Sequence, residues 1–124
     1  MIRLMAISLA SSMLALACST TGPPREELAR AAIAVGTAED AGAQSHASAE
    51  WARARQKLDE AQAATASKEY VRARRLAEQA FVDAELAAAI SRSEVAMQHA
   101  RELRENIETL RDETRDGGPS PEAM

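Results

Sequence analysis

An all-α fold is predicted for this sequence by its alanine content and by the spacing of its apolar residues. Alanine occupies 29 of the 124 positions, and Glu, Arg, Leu and Gln, which also favour helix, occupy 42 more. No stretch shows the alternation of apolar and polar residues that is typical of a strand. We therefore predict an antiparallel three-helix arrangement with a long C-terminal helix, and a long two-helix hairpin is the alternative.

The first 17 residues have the pattern of a secretory signal peptide. Arg3 is followed by apolar or small residues from Leu4 to Ala17, a run shorter than the roughly 20 residues that a membrane span needs. The segment "ALAC" at residues 15–18 resembles the lipobox of bacterial lipoproteins, in which the cysteine is diacylated and becomes the first residue. Cys18 is thus expected to carry lipid; the alternative is ordinary secretion with a free Cys18 thiol.

The resemblance to lipoproteins also implies a location. Two or more acyl chains hold a protein stably at a membrane, and residues 18–24 form a short tether between Cys18 and the folded part. An aspartate after the cysteine tends to retain such proteins in the inner membrane, whereas this chain has Ser19. The resemblance therefore implies the periplasmic face of the outer membrane.

Loss of residues 1–17 would leave 14 basic and 19 acidic side chains, a balance that argues against a nucleic-acid partner.

Two helices are expected in the first half of the mature chain. The first spans about 25–43, after a Pro-Pro pair, and its apolar face consists of Leu28, Ala31, Ala32 and Val35. Gly42 and the segment 42–48 favour a break there, with Ser48 as a candidate N-cap of the second helix. That helix spans about 48–65, with a stripe of Trp51, Ala54, Leu58, Ala61 and Thr65.

A third, much longer helix is expected at about 68–115, preceded by Ser67 as a candidate cap and followed by a disordered tail at 117–124. Its first part carries a seam in alternating steps of three and four residues, which is the spacing of a coiled coil: Tyr70, Ala73, Ala77, Ala80, Ala84, Ala87 and Ser91. A second seam, which we call the distal seam, follows in the same steps: Ala96, Ala100, Leu103, Ile107 and Leu110. If three helices form, the part of this helix beyond about Val95 projects from the bundle.

The segment "EWARARQKLDEAQAATASKEYVRARRLAEQAFVDAELA" at residues 50–87 carries a family resemblance. It resembles the bacterial lipoprotein family catalogued as domain of unknown function 4398, whose members have an "A-x-x-K-L-x-x-A" helix, a short turn and "Y-x-x-A-R-x-L-A-E-Q-A-x-x-D-A-E-L-A". The resemblance extends over about 28–95 and implies a helical, envelope-located protein without naming an activity. The matching positions are Ala54, Lys57, Leu58, Ala61, Tyr70, Ala73, Arg74, Leu76, Ala77, Glu78, Gln79, Ala80, Asp83, Ala84, Glu85, Leu86 and Ala87.

The sequence offers no pattern for catalysis or for a metal. His46 and His99 are the only histidines and stand 53 residues apart, so no cluster has the ligand spacing of a zinc or iron site. Neither a glycine-rich phosphate loop nor a nucleophile elbow occurs. We therefore expect a protein that is not an enzyme and that needs no cofactor.

The remaining candidates for function are interaction surfaces. The distal seam is apolar and has nothing assigned to cover it, so it is expected to pair with a second copy or with a helix of another envelope protein. This predicts a structural, scaffolding or adaptor role at the cell envelope. The alternative is a helical binding module that grips a peptide or a cell-wall fragment near Trp51 and Tyr70, which otherwise fill gaps in an alanine core.

Overall fold

The computed structural model describes residues 22–117, and helix accounts for most of this segment. Four helices follow one another: α1 (Arg25–Asp40), α2 (Ala43–His46), α3 (Ser48–Ala66) and α4 (Tyr70–Asp116). No strand occurs between residues 22 and 117, and the all-α prediction with a long C-terminal helix is confirmed. The predicted signal peptide, Cys18 and the tail from 118 to 124 lie outside the described residues.

Helix α4 is the element against which the others pack. Both α1 and α3 contact it extensively, and they contact each other less. Near one end of the bundle the carboxylate of Glu27 in α1 accepts a hydrogen bond from Arg74 Nε at 2.7 Å. Near the other end Ala38 packs in one cluster with Ala87 and Ala88. These contacts show that α1 runs parallel to α4.

Helix α3 runs in the opposite direction to α4. Lys57 Nζ, midway along α3, donates to Asp83 Oδ2 at 2.7 Å, while Trp51 near its start packs against the cluster that contains Ala87 and Ala88. The start of α3 therefore lies level with about residue 90 of α4, and its end lies level with the start of α4. Together α1 and α3 cover only the first half of α4.

Alanine side chains form most of the interface between these helices. In α4 the six seam positions after Tyr70 are fully buried, as the spacing predicts, whereas Tyr70 is half-buried. The first four of them share one core cluster with Ala31, Ala34 and Val35 of α1 and with Ala54, Leu58 and Ala61 of α3. Because these side chains are so small, the helix axes can approach near the lower limit of about 8 Å. One predicted core position of α1 is wrong: Ala32 is exposed, and Ala34 and Ala38 are buried instead.

The predicted break at 42–48 is present and contains a helix of its own. Gly42 adopts a left-handed conformation with φ of 82° and ends α1 at Asp40, three residues before the predicted end. The single turn α2 follows, so the bundle has four helices rather than three. Ser48 is the first residue of α3 rather than its N-cap, because Ala47 takes that position without a side-chain hydrogen bond.

The turn between α3 and α4 closes through the backbone. Lys68 has a positive φ of 60°, its N–H donates to Thr65 O at 3.0 Å, and the N–H of Glu69 donates to Ala64 O at 2.8 Å. This pair of bonds is the Schellman arrangement that satisfies the last carbonyls of a helix. Ser67 therefore ends α3 and does not cap α4, which follows Glu69.

Beyond Ser91, the described part of α4 contains no buried residue. We call residues 92–116 the overhang. All of its residues are exposed except Glu94 and Val95, which are half-buried. At 1.5 Å per residue the overhang extends roughly 37 Å past the bundle.

The two glycines near the end of α1 are expected to respond oppositely to alanine. Gly42 has a positive φ, and a Cβ there would also lie 3.3 Å from His46 Cδ2, so Gly42→Ala is expected to lower the free energy of unfolding by about 1 kcal/mol or more. Gly36 is helical and a Cβ there meets no atom within 4 Å, so Gly36→Ala is expected to raise it by about 0.5–1 kcal/mol. Urea unfolding followed by circular dichroism measures both changes. Effects of the same sign would contradict the structure of this break.

The Glu27–Arg74 pair is expected to make the stability of the bundle sensitive to acid. The pKa of Glu27 lies below its ordinary value of 4.5, first because its own backbone N–H bonds the carboxylate and second because Arg74 does so. A carboxyl group with a lowered pKa stabilises the fold above pH 4.5 and loses that contribution as the pH falls through the lowered value. Glu27→Gln is expected to flatten the loss of melting temperature between about pH 5 and pH 3. If the two proteins lose stability in parallel over this range, the pair does not couple to folding.

Candidate functional site

The distal seam is the main apolar surface left open by the fold. The relative exposures are 61% for Leu103, 50% for Ile107 and 59% for Leu110, and Ala96 and Ala100 are exposed as well. Because the steps between these positions alternate between four and three, one face of α4 carries all five. No residue between 22 and 117 covers this face.

The overhang is helical because its residues favour helix and because the bundle starts the helix for it. An isolated helix of 25 residues in water is marginal without a costly first turn, and here the packed first half of α4 supplies that turn. The helix ends at Asp116, where the Gly117 N–H donates to Glu113 O at 2.9 Å. The bundle thus holds an apolar stripe in a fixed helical form that is ready to pair with another helix.

Charges on the overhang are nearly balanced. Residues 92–116 contain five arginines and seven acidic residues, and His99 Nδ1 lies 3.5 Å from Glu102 Oε2 on the exposed surface. A surface that binds the phosphate backbone of a nucleic acid needs a basic excess. The overhang lacks such an excess, and its charges flank the apolar stripe as they do in coiled coils.

The exposed apolar stripe begins before Ala96, the first residue predicted for the distal seam. Val82 and Leu86 are 62% and 47% exposed on the part of α4 that lies within the bundle. The signal was present in the sequence, because the steps of three and four continue backwards from Ala96 through Ser93, Ala89 and Leu86 to Val82. The same helix segment also carries the buried seam, and the buried seam is the only one predicted for that segment.

Trp51 is part of the core at the end of the bundle that contains α2. Its ring packs against the cluster formed by Ala38, Ala43, Ala47, Ala87 and Ala88. The Arg55 guanidinium lies 5.2 Å from the ring centroid, and the indole Nε1 is buried without a hydrogen-bond partner among the described residues. These contacts fit the expectation that Trp51 fills a gap left by alanines.

Trp51 and Tyr70 do not form a common site. Tyr70 begins α4, whereas Trp51 lies in the first turn of α3 and therefore at the opposite end of the bundle, roughly 20 Å away along α3. Each lines a different open groove: Trp51 with Arg55 and Gln56, and Tyr70 with Lys68 and Arg75. The ligand-binding alternative expected a site near both aromatic residues, and the structure does not bring them together.

The other sequence candidates fall in places that offer no ligand set. His46 lies in α2 and His99 lies on the overhang, and no group of three or more His, Cys, Asp or Glu between residues 22 and 117 is placed to hold a metal ion. Cys18 lies outside the described residues. Within the described part of the chain, none of the helices has the length and apolar character that crossing a bilayer requires.

The fold and its open seam define a small all-α module: an alanine-packed helical bundle with one projecting helix. The family model described as "Domain of unknown function (DUF4398)" matches residues 26–103, and the chain belongs to this family. The match covers the bundle and the first part of the overhang and ends at Leu103, inside the distal seam. No curated protein and no solved structure matches the chain.

Replacing Trp51 is expected to reveal its place in the core. Trp51→Ala is expected to lower the free energy of unfolding by about 2 kcal/mol, less than the 3–5 kcal/mol of a fully buried aromatic residue because the ring is partly exposed. Trp51→Phe is expected to cost less, since it keeps an aromatic ring and removes the unpaired N–H. Urea unfolding of the three proteins measures the difference. An unchanged midpoint for Trp51→Ala would mean that the ring serves something other than packing.

Proposed function

We propose that this chain is a lipid-anchored protein of the bacterial cell envelope with a non-catalytic structural, scaffolding or adaptor role, performed through helix–helix association. One observation carries the proposal: the overhang presents leucine and isoleucine on one face of a helix, and the described chain leaves that face uncovered. Apolar residues at this spacing are the usual means by which one helix binds another. An exposed apolar stripe of this kind marks an interaction surface.

The anchor in this proposal is Cys18, and its support comes from the sequence. The apolar run from Leu4 to Ala17 and the Ala-Leu-Ala segment at 15–17 provide a signal peptide with a lipobox-like end. With lipid on Cys18 and Ser19 following it, the protein would sit on the periplasmic face of the outer membrane. The start of α1 at Arg25 lies only seven residues from Cys18, so the bundle would stand within roughly 25 Å of the membrane surface.

The overhang would carry the distal seam away from the anchored end of the bundle. It places the distal seam at the end of α4 that is farther from the start of α1, because α1 and α4 run in parallel. Because Glu27 lies level with Arg74, the seam would be presented roughly 35–60 Å beyond the level of the first helical residue. A protein that holds an adhesive helix at a set distance from its anchor suits a spacer or an adaptor.

A ligand-binding role is the second candidate, and it rests on the unpaired buried N–H of Trp51. The groove beside this ring is lined by Ala52, Arg55, Gln56, Asp59 and Glu60, a polar set that would suit a peptide or a cell-wall fragment. Tyr70 would take no part in such a site. The two candidates depend on different residues and are separated by the experiments below.

The helix-pairing proposal is tested by placing charge in the distal seam. Leu103→Glu with Leu110→Glu is expected to abolish the association of the full chain with its partner, because carboxylates would be buried in an apolar interface. Gln98→Glu with Thr109→Glu adds the same charge on other faces of the overhang and is expected to leave the association intact. The size of the native complex in mild detergent, followed on native gels, reports the outcome. Assembly that survives the seam substitutions unchanged would overturn the proposal.

The partner is identified by photo-crosslinking in the native cell from a probe at position 103. A product with another copy or with a different envelope protein supports the helix-pairing role and names the client. A probe that gives no product would contradict the helix-pairing role and favour the ligand-binding role at Trp51. In that case Trp51→Ala would be expected to remove the function while Leu103→Glu would not.

A further inference from the structure

Helix α4 carries two seams on opposite faces. The buried seam faces α1 and α3, and a second set of positions, which we call the outer seam, lies about 180° around the helix. The outer seam keeps alternating steps of four and three without interruption for more than four heptads, and each of its members is exposed. It consists of Val82, Leu86, Ala89, Ser93, Ala96, Ala100, Leu103, Ile107, Leu110 and Thr114.

We propose that a second copy of this chain covers the outer seam from Ala89 to Thr114, with the two α4 helices antiparallel and with Ala100 of each copy facing Leu103 of the other. This inference rests on the proposed function, which it deepens by naming the partner and its orientation. Sustained heptads of this length are typical of coiled-coil pairing. The choice of partner and register follows from the sizes and the charges of the side chains.

Side-chain size favours this antiparallel register. Large residues are concentrated at 103–110 and small ones at 89–100, so a parallel pair would place leucine against leucine at one end and alanine against alanine at the other. In the antiparallel register each large residue meets a small one: Leu103 meets Ala100, Ile107 meets Ala96, and Leu110 meets Ser93. Alternation of large and small side chains across an interface fills space evenly.

Charges beside the seam favour the same register. Arg92 and Glu113 flank the seam on one side, and neither forms an ion pair between residues 22 and 117. The proposed register places Arg92 of each copy beside Glu113 of the other, which gives two ion pairs in the dimer. On the other side of the seam, Arg104 and Arg111 lie beside Met97 and Ile90, where their aliphatic stems can cover apolar surface.

Neighbouring registers are less favourable. A shift by one heptad in one direction places Glu85 beside Glu113, and a shift in the other direction places Arg104 beside Arg104 of the second copy. A parallel pair places His99 beside Arg104 and leaves Arg92 and Glu113 without partners. Like charges that face each other across a helix pair oppose association.

The pairing would produce a rod with a bundle at each end. The helices overlap over residues 89–114, roughly 38 Å, and the outer seam faces away from α1 and α3, so the bundles do not obstruct the partner. The starts of α1 in the two copies would lie roughly 90 Å apart at opposite ends of the rod. Two anchors held apart in this way would make the dimer a spacer.

Charge reversal tests the register. Arg92→Glu and Glu113→Arg, each alone, are expected to weaken dimerisation of the full chain in mild detergent about tenfold, since each replaces two attractive contacts by repulsive ones. The combined variant R92E/E113R is expected to return the dissociation constant to within about twofold of the original. Sedimentation equilibrium measures these constants. A combined variant no tighter than the single ones, or a chain that stays monomeric, would overturn the inference.

A photo-crosslinking probe at position 110 tests the orientation in the cell. The expected product joins 110 to the neighbourhood of Ser93, and it must arise between two copies because these positions lie roughly 26 Å apart along one helix. A product that joins 110 to 110 would overturn the antiparallel arrangement. A product with a different protein, or no product, would overturn pairing with a second copy. A product with a different protein would leave the proposed function standing. If no product forms, the proposed function falls only if Leu103→Glu with Leu110→Glu also leaves the native complex unchanged.

Discussion

Close approach of helices over alanine is the interaction on which the rest of this structure depends. The fully buried positions of α4 are six alanines and a serine, whose hydroxyl bonds its own helix at Ala87 O. Side chains this small let α1 and α3 lie against α4 nearly backbone to backbone. The arrangement requires that all three helices be straight and correctly registered, and the ion pairs Glu27–Arg74 and Lys57–Asp83 hold that register at two levels.

The buried face of α4 carries small apolar residues, and the exposed face carries most of the larger ones. A buried methyl group contributes on the order of 0.8 kcal/mol, so an alanine interface stabilises a helix pair little per turn. The larger apolar residues of α4, from Val82 to Leu110, are mostly on the exposed face. Because the larger apolar side chains are exposed, another helix that covered this face would bury more apolar area per turn than the alanine interface does. We therefore propose that this face carries the function.

Turns that need left-handed backbone set the shape of the bundle. Gly42 and Lys68 both have positive φ, and each stands where the chain reverses direction. At Gly42 the residue type suits the conformation. At Lys68 the backbone bonds to Thr65 and Ala64 compensate for a residue that rarely adopts it. The position of these turns decides how much of α4 is covered and how much projects.

The sequence by itself determined the helical class, the buried seam of α4 and the long final helix, because alanine content and steps of three and four are local properties of the chain. It also placed the distal seam. Only the tertiary structure decided that Gly42 is followed by a separate turn of helix and that Ala34 rather than Ala32 is buried. These features depend on the direction in which α1 and α3 cross α4, and helical periodicity carries no information about the rotation of one helix against another.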